Sequence, residues 1–270
     1  MKKVLITGAT DGIGLETAKM LAASGHHLLI HGRSAEKLKK TEATLRDLSG
    51  GGRIESYVAD LSHRIDIEAL AKAVSKTHDT LDVLINNAGV YKTSQSVTAS
   101  GHDVRFVVNT FAPYLLTRLL SPLLERKADA AARIINLSSA AQSPVDLEAL
   151  IGKRGLSDGD AYAQSKLALT MWSRHLAQGY GKGGPIVIAV NPGSLLASKM
   201  VKEAYGIEGS ALSIGADILV RAALSDEFAE ASGKYYDNDS KKFARPHPDA
   251  LDPEIVTAVI SETEHAAATF

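Results

Sequence analysis

The stretch Thr7-Gly8-Ala9-Thr10-Asp11-Gly12-Ile13-Gly14 decides the fold. Val4-Leu5-Ile6 precedes it, and Leu15, Ala18, Leu21 and Ala22 follow at helical spacing, with Gly25 as a stop. The order is therefore strand, glycine-rich turn, helix. A phosphate needs close backbone approach at such a turn, and glycines remove the side chains that would block it. The helix start then offers unpaired N–H groups and the positive end of its dipole to a pyrophosphate. The same eight residues would also serve as a tight turn holding no ligand.

Outward from this turn, strands are expected at Val4–Ile6, Leu28–His31, Ile54–Val58, Val83–Asn86, Arg133–Leu137 and Ile186–Val190. A last short one includes Tyr235 and Tyr236. Most interior runs are apolar on consecutive residues, as in parallel strands buried on both faces. Helical periodicity covers Ile67 to Ser75, Val104 to Leu124 and Ala161 to Gln178. This alternation predicts an α/β Rossmann fold, a doubly wound seven-stranded parallel sheet flanked by helices. With no repeat, low-complexity tract or dividing linker, residues 1–270 read as a single domain. Segments 140–160 and 194–213 break the rhythm. Both follow strands, so both belong at the carboxyl edge of the sheet, where open α/β folds bind ligands. The tail from Lys241, with Pro246, Pro248 and Pro253, is expected to wrap the surface.

Composition narrows the function classes. The 270 residues carry 30 Lys+Arg against 31 Asp+Glu, a formal net charge of −1, with 45% hydrophobic and 23% charged residues. That balance gives no electrostatic footprint for nucleic acid or an anionic membrane. The absence of Cys excludes disulfides, a thiolate nucleophile and cysteine metal sites. The nine histidines show no metal-ligand spacing, so no metal is expected. No apolar run approaches the roughly 18 residues of a membrane span, and the first one ends at once in Thr7-Gly8. A cytoplasmic location is the expectation.

The second strand ends His31-Gly32-Arg33-Ser34, with no acid to bind an adenosine ribose. Arg33 can stack on adenine and pair with a 2′-phosphate through its planar fork, which favours NADP(H) over NAD(H). Arg33 and Lys37 could equally form a solvated helix start, and Asp11 argues mildly against an extra phosphate. Asp60-Leu61 follows the third strand, placing a carboxylate near an adenine amino group or at a helix N-cap. Tyr162 and Lys166 share one helical face. An isolated tyrosine, with a pKa of about 10, is a poor acid–base catalyst at neutral pH. A nearby ammonium favours the phenolate and fits the pair for general acid–base work on a carbonyl or alcohol. Taken alone, the spacing also suits a surface pair. Ser138 and Ser139 end the fifth strand, Asn86-Asn87-Ala88-Gly89 follows the fourth, and Asn109 lies in the next helix.

In their order and placement, Thr7-Gly8-x-x-x-Gly12-x-Gly14, Asn86-Asn87-Ala88-Gly89, Asn109, Ser139, Tyr162-x-x-x-Lys166 and Pro192-Gly193 resemble the signature of the classical short-chain dehydrogenase/reductase family. The resemblance implies an oxidoreductase moving a hydride between nicotinamide and a carbonyl or a primary or secondary alcohol. It assigns catalysis to Asn109, Ser139, Tyr162 and Lys166. Tyr162 would be the general acid/base, Ser139 would orient the substrate oxygen, and Asn109 would support a water-linked relay with Lys166. Lys166 would also bind the nicotinamide ribose. The resemblance further implies cofactor contacts from Gly8, Thr10, Asp11, Gly12, Ile13, Gly14, Arg33, Asp60, Leu61, Asn87, Ala88, Gly89, Pro192 and Gly193. It selects Ser139 over Ser138, which should face the other way.

Two departures stand out. Ser139 and Tyr162 lie 23 positions apart, longer than in most members, and the insertion resembles the retinol dehydrogenase and protochlorophyllide reductase branch. Ser232-Gly233-Lys234-Tyr235-Tyr236 resembles that branch too. After Pro192-Gly193, Ala197 stands where members place a Thr or Ser for the carboxamide, and Ser198, one later, would make that cofactor contact if the loop shifts; Tyr162 too would touch the cofactor. Leu195, Leu196, Met200, Val201 and Tyr205 suggest an apolar lid, or ordinary packing of a short helix. The apolar-faced helices at Val104–Leu124 and Ala161–Gln178 resemble those through which members form homodimers and homotetramers. The alternative function is an NADP(H)-binding sensor or scaffold without catalysis.

Overall fold

The computed structural model describes residues 1–48, 50–126, 131–197, 200–202, 206 and 208–270. In chain order, β1 (Lys3–Ile6), α1 (Gly12–Ala23), β2 (His27–Gly32), α2 (Ala35–Leu48), β3 (Ile54–Val58), α3 (Arg64–Thr77) and β4 (Val83–Asn86) build one half of the sheet. A helical segment follows in three parts: α4 (Val104–Phe106), a π-helical turn (Val107–Phe111) and α5 (Ala112–Leu124). Then come β5 (Arg133–Leu137), α6 (Leu147–Leu150), α7 (Asp158–Tyr180), β6 (Ile186–Asn191), α8 (Leu212–Leu224), β7 (Tyr235–Asp237), β8 (Lys242–Ala244) and α9 (Pro253–Thr269).

The strand order is β3-β2-β1-β4-β5-β6-β7-β8, and β1 through β7 pair in parallel. The order reverses between β1 and β4, so the crevice at their carboxyl ends is the ligand position of a doubly wound sheet. One apolar layer joins α1 and α8 to one face through Leu21, Ile30, Ile188 and Leu219. Another joins α3 and α5 to the opposite face through Leu5, Leu29, Leu70 and Leu116. Buried strands sandwiched in this way leave no polar face, which explains their unbroken apolar runs.

The sheet has eight strands rather than seven, and it is not wholly parallel. β8 pairs antiparallel with β7, from Tyr235 against Ala244 to Asp237 against Lys242. A short turn can only return the chain antiparallel, since a parallel neighbour needs a crossover of roughly a dozen residues. The Asp237 carboxylate ties that turn by accepting from the Ser240 hydroxyl at 2.6 Å, and Lys241 takes a φ of 54°. The tail also departs from expectation by ending in the 17-residue helix α9. Asp252 caps it by accepting from the Glu254 and Ile255 N–H groups, and Pro253 stands in its first turn, where no donor is needed. Ile260 joins Leu169 and Trp172 of α7, while Val259, Ala266 and Ala267 reach Phe106 and Phe111.

Candidate active site

The glycine turn is shaped by exclusion. Gly8 has a φ of 66° and Gly12 a φ of 55°, both in the region that favours glycine. A Cβ on Gly14 would stand 2.3 Å from both the Gly8 carbonyl oxygen and Asn87 Nδ2, whereas one on Gly12 would meet nothing within 4 Å. Gly14 therefore closes the helix onto the strand, and Gly12 faces open space. Asn87 holds the turn by donating to the Thr7 and Gly8 carbonyls at 2.8 and 3.1 Å. The Thr7 hydroxyl accepts from the Asn87 and Ala88 N–H groups. Asp11 is the N-cap of α1 and accepts from the Gly12 N–H at 2.8 Å. Thr10 packs against Gly32, where a Cβ would fall 2.7 Å from its methyl carbon, and half-buried Ile13 packs beside Gly215.

His31 is a contributor that sequence reading passed over. It is buried at the end of β2. Its Nδ1 accepts from the Gly8 N–H at 3.2 Å, so its Nε2 carries the hydrogen donated to the Ala59 carbonyl at 3.0 Å. Burial keeps the ring neutral, against the weaker pull of the Ala59 bond and Asp60. One imidazole thereby links the ends of three neighbouring strands.

Two positions on, Arg33 is exposed. Asp60 accepts from the Ser62 N–H and hydroxyl at 2.9 and 2.7 Å. Partial burial works against its ionisation, yet those bonds, with His63 and Arg33, hold the carboxyl below its usual range. Asp60 closes a local turn, and the N-cap of α3 is His63. Leu61 is buried in the core, which leaves only its main chain for a ligand.

The catalytic candidates gather where β4, the π-helical turn and α7 meet. Asn109, in that turn, accepts from the Val90 N–H at 2.8 Å and donates to the Val90 carbonyl at 3.0 Å. It also donates to the Ser165 hydroxyl at 3.0 Å. A Cβ on Gly89 would lie 3.3 Å from Asn109 Oδ1 and 3.5 Å from Lys166 Nζ, so the three share one spot. Lys166 is only 4% exposed. Its ammonium donates to the Leu137 carbonyl at 2.6 Å and stands 5.6 Å from the centre of the Tyr162 ring. Burial pushes its pKa down to about 8. Tyr162 is half-buried, with its ring edge-on to Tyr91 at 5.1 Å.

The two serines diverge. Ser138 is buried against α7, with its hydroxyl 2.7 Å from Thr170 Oγ1. Ser139 is half-buried and its hydroxyl accepts from the Ala141 N–H. Its carbonyl accepts from the Tyr235 hydroxyl at 3.1 Å. Burial, then Asp237 and Asp239, raise the Tyr235 pKa, so it stays a donor.

Arg105 was likewise unforeseen, being an arginine inside an apolar-faced helix. It is 1% exposed. Its guanidinium binds Asp103, reaches Asp158 in the first turn of α7, and donates to the Tyr91 carbonyl at 3.2 Å. The two segments that break the strand–helix rhythm, 140–160 and 194–213, lie nearby in part. In the insertion, Asp146 caps α6 and its N–H donates to Gln164 of α7; Ala149 and Leu150 are buried beside Phe106. Leu196 is buried, Leu195 is exposed with a φ of 52°, and Met200 and Val201 are half-buried. Ser198 and Tyr205 lie outside the described residues. Gly193 has a φ of 121°, and the Pro192 carbonyl accepts from Asn238 at 2.9 Å.

Residues 2–206 match the model of the short chain dehydrogenase family. The chain belongs to that family. This short chain dehydrogenase is 32% identical to human (Homo sapiens) retinol dehydrogenase 13, over 97% of its own length and 83% of the relative's. It is 34% identical to mouse (Mus musculus) retinol dehydrogenase 12, over 89% and 78% of the two chains. These likenesses support the retinol dehydrogenase-like branch. Among solved structures, a Mycobacterium paratuberculosis protein superposes with a TM-score of 0.80 at 25% identity, covering 100% of this chain and 94% of its own. An Escherichia coli short chain dehydrogenase complexed with NADPH gives 0.71 at 26% identity, covering 88% and 96%. Among the described residues, no helix is long and apolar enough to cross a membrane.

Proposed function

We propose that this oxidoreductase moves a hydride between a nicotinamide cofactor, NADP(H) in preference to NAD(H), and an apolar carbonyl or primary or secondary alcohol. The observation carrying the reading is the buried Lys166 ammonium, 5.6 Å from the Tyr162 ring and beside Gly89 at the reversal of the sheet. The site fits a dinucleotide. Gly12 faces open space at the start of α1, and no acid stands at the end of β2 to repel a 2′-phosphate from Arg33. The NADPH and NADP complexes among its structural neighbours agree with that preference.

When bound, the nicotinamide supplies or accepts the hydride. The chain's part is binding and proton movement. Tyr162 gives its hydroxyl proton to the carbonyl oxygen in reduction and takes it back in oxidation. The Lys166 charge stabilises the negative charge that develops on the tyrosine oxygen. Ser139 orients the substrate oxygen, and Asn109 keeps the Gly89 turn and α7 in register. Gly8, Thr10, Asp11, Gly12, Ile13 and Gly14 cradle the pyrophosphate. Arg33, Asp60 and the Leu61 main chain hold the adenosine; Asn87, Ala88, Gly89, Pro192 and Gly193 flank the nicotinamide half.

Relatives named for retinol and for polyprenol, the latter 30% identical, motivate an apolar alcohol or aldehyde as substrate. α9 covers Leu169 and Trp172, so a homodimer or homotetramer built on α5 and α7 would include α9 in its interface. A sensor or scaffold would not need the four catalytic candidates, all of which are kept. The test is Tyr162→Phe against wild type, with NADPH and a panel of apolar aldehydes. Turnover should fall about 10²–10⁴-fold, the scale of general acid–base catalysis, while NADPH binding, read by nicotinamide fluorescence, persists. Unchanged turnover refutes the mechanism.

A further inference from the structure

At the end of the sheet remote from the glycine turn, three ligand-type side chains meet that the proposed chemistry does not use. His27 opens β2, Glu55 is the second residue of β3, and His78 is the C-cap of α3. Strand alternation puts His27 on the face of Leu29 and Glu55 on the face of Tyr57, and both belong to the layer under α3. The end of α3 then delivers His78 to the same place. His27 Nε2 lies 2.8 Å from Glu55 Oε1, and His78 Nε2 lies 3.3 Å from Glu55 Oε2. One ligand atom from each residue falls within 4.8 Å of the others. The Tyr57 hydroxyl is 3.0 Å from Glu55 Oε2 and 3.4 Å from His78 Nε2. The three side chains are 13%, 14% and 5% exposed, largely dry yet open to an entering ion.

We propose that His27, Glu55 and His78 bind one borderline divalent cation of the Zn²⁺ type, with the Tyr57 hydroxyl or a water completing the shell. Two imidazole nitrogens and one carboxylate suit Zn²⁺ and discriminate against Mg²⁺ and Ca²⁺, which favour all-oxygen shells. Ligands about 2.1 Å from a tetrahedral ion stand about 3.4 Å apart. The two nitrogen–oxygen separations, 2.8 and 3.3 Å, fall just below that value, so an ion enters by small outward side-chain rotations. The opposing charge is Arg53, whose Nε is 3.1 Å from Glu55 Oε1; its side chain is 71% exposed and free to withdraw into solvent. The ion would tie β2, β3 and α3 together away from Tyr162, so the site stands apart from the oxidoreductase reading.

The test is calorimetric titration of tag-free, chelator-treated full-length protein with Zn²⁺, alongside its thermal unfolding. One ion per chain is expected, with a rise in Tm that a chelator reverses. His78→Gln and Glu55→Gln should each weaken binding about tenfold or more. Arg53→Gln should tighten it severalfold by removing the competing charge, and its exposed position keeps the test decisive if another variant unfolds. No stoichiometric binding, or equal affinity in wild type and variants, overturns the site.

Discussion

Lys166→Met should make this protein more stable while removing its chemistry. The wild-type ammonium is buried, and burial lowers its pKa from 10.5 to about 8. A base with a depressed folded-state pKa binds fewer protons folded than unfolded between those values. Stability therefore rises with pH from about 8 to 10.5, and the cost of carrying the charge is fully present below that window. At about 1.36 kcal/mol per pH unit, that cost is roughly 3 kcal/mol at pH 7. Methionine keeps most of the apolar volume and removes the charge. It also gives up the bond to the Leu137 carbonyl, worth about 1 kcal/mol. The net gain is about 2 kcal/mol at pH 7, a rise in Tm of roughly 4 °C for a chain of this size, and it vanishes near pH 10.5. Urea unfolding without nucleotide, at pH 7, 8.5 and 10, checks this through the fluorescence of Trp172, the sole tryptophan and fully buried. A variant weaker than wild type at pH 7, or an advantage flat across pH, refutes the reasoning.

Arg33→Ala should raise KM for NADPH about 10–100-fold, the scale of a lost charge-assisted hydrogen bond, and leave KM for NADH nearly unchanged. Equal losses with both cofactors would make Arg33 a stacking residue rather than a selector. Arg105→Met leaves Asp103 and the Tyr91 carbonyl without their buried partner. It should cost about 3 kcal/mol or more in urea unfolding, with part restored by adding Asp103→Asn. Gly14→Ala forces a Cβ to within 2.3 Å of the Gly8 carbonyl oxygen. A loss of about 1–3 kcal/mol is expected from overpacking, with weakened nucleotide binding by fluorescence titration; unaltered binding would show that the turn can relax.

The parallel core was legible because buried strands must be apolar on both faces, and most of the strand runs said so directly; β3, with Glu55 and Ser56 at the sheet edge, did not. The glycine turn was legible because three glycines between a strand and a helix serve close packing and close approach. β8 was hidden by length: Lys242-Phe243-Ala244 carries no period, and only its partner β7 makes it a strand. α9 was obscured by Pro246, Pro248 and Pro253, which read as breakers although Pro253 stands in a first turn, where proline fits. The His27–Glu55–His78 cluster could not be read from spacing, because its members come from two strands and a helix end and meet only through sheet register.

Asn109 shows what a defect in its helix contributes to the candidate site. The Val104–Leu124 periodicity suggests one regular helix, yet Val107–Phe111 is wound as a π turn. Such turns concentrate at functional sites because they re-aim side chains that a regular helix would commit to its own packing. Here both Val90 backbone groups bond to the Asn109 amide, which also donates to the Ser165 hydroxyl. That hydroxyl in turn donates to the Tyr162 carbonyl at 2.7 Å. A single amide thus ties the loop after β4 to the turn of α7 that carries Tyr162. Arg105 makes a second tie, from the Tyr91 carbonyl to Asp158, one helical turn before Tyr162. The loop after β4 and the helix that carries the proposed acid/base are therefore cross-linked at two points. On the proposed mechanism, the preorganisation for proton transfer would reside in these two side chains as much as in Tyr162 and Lys166.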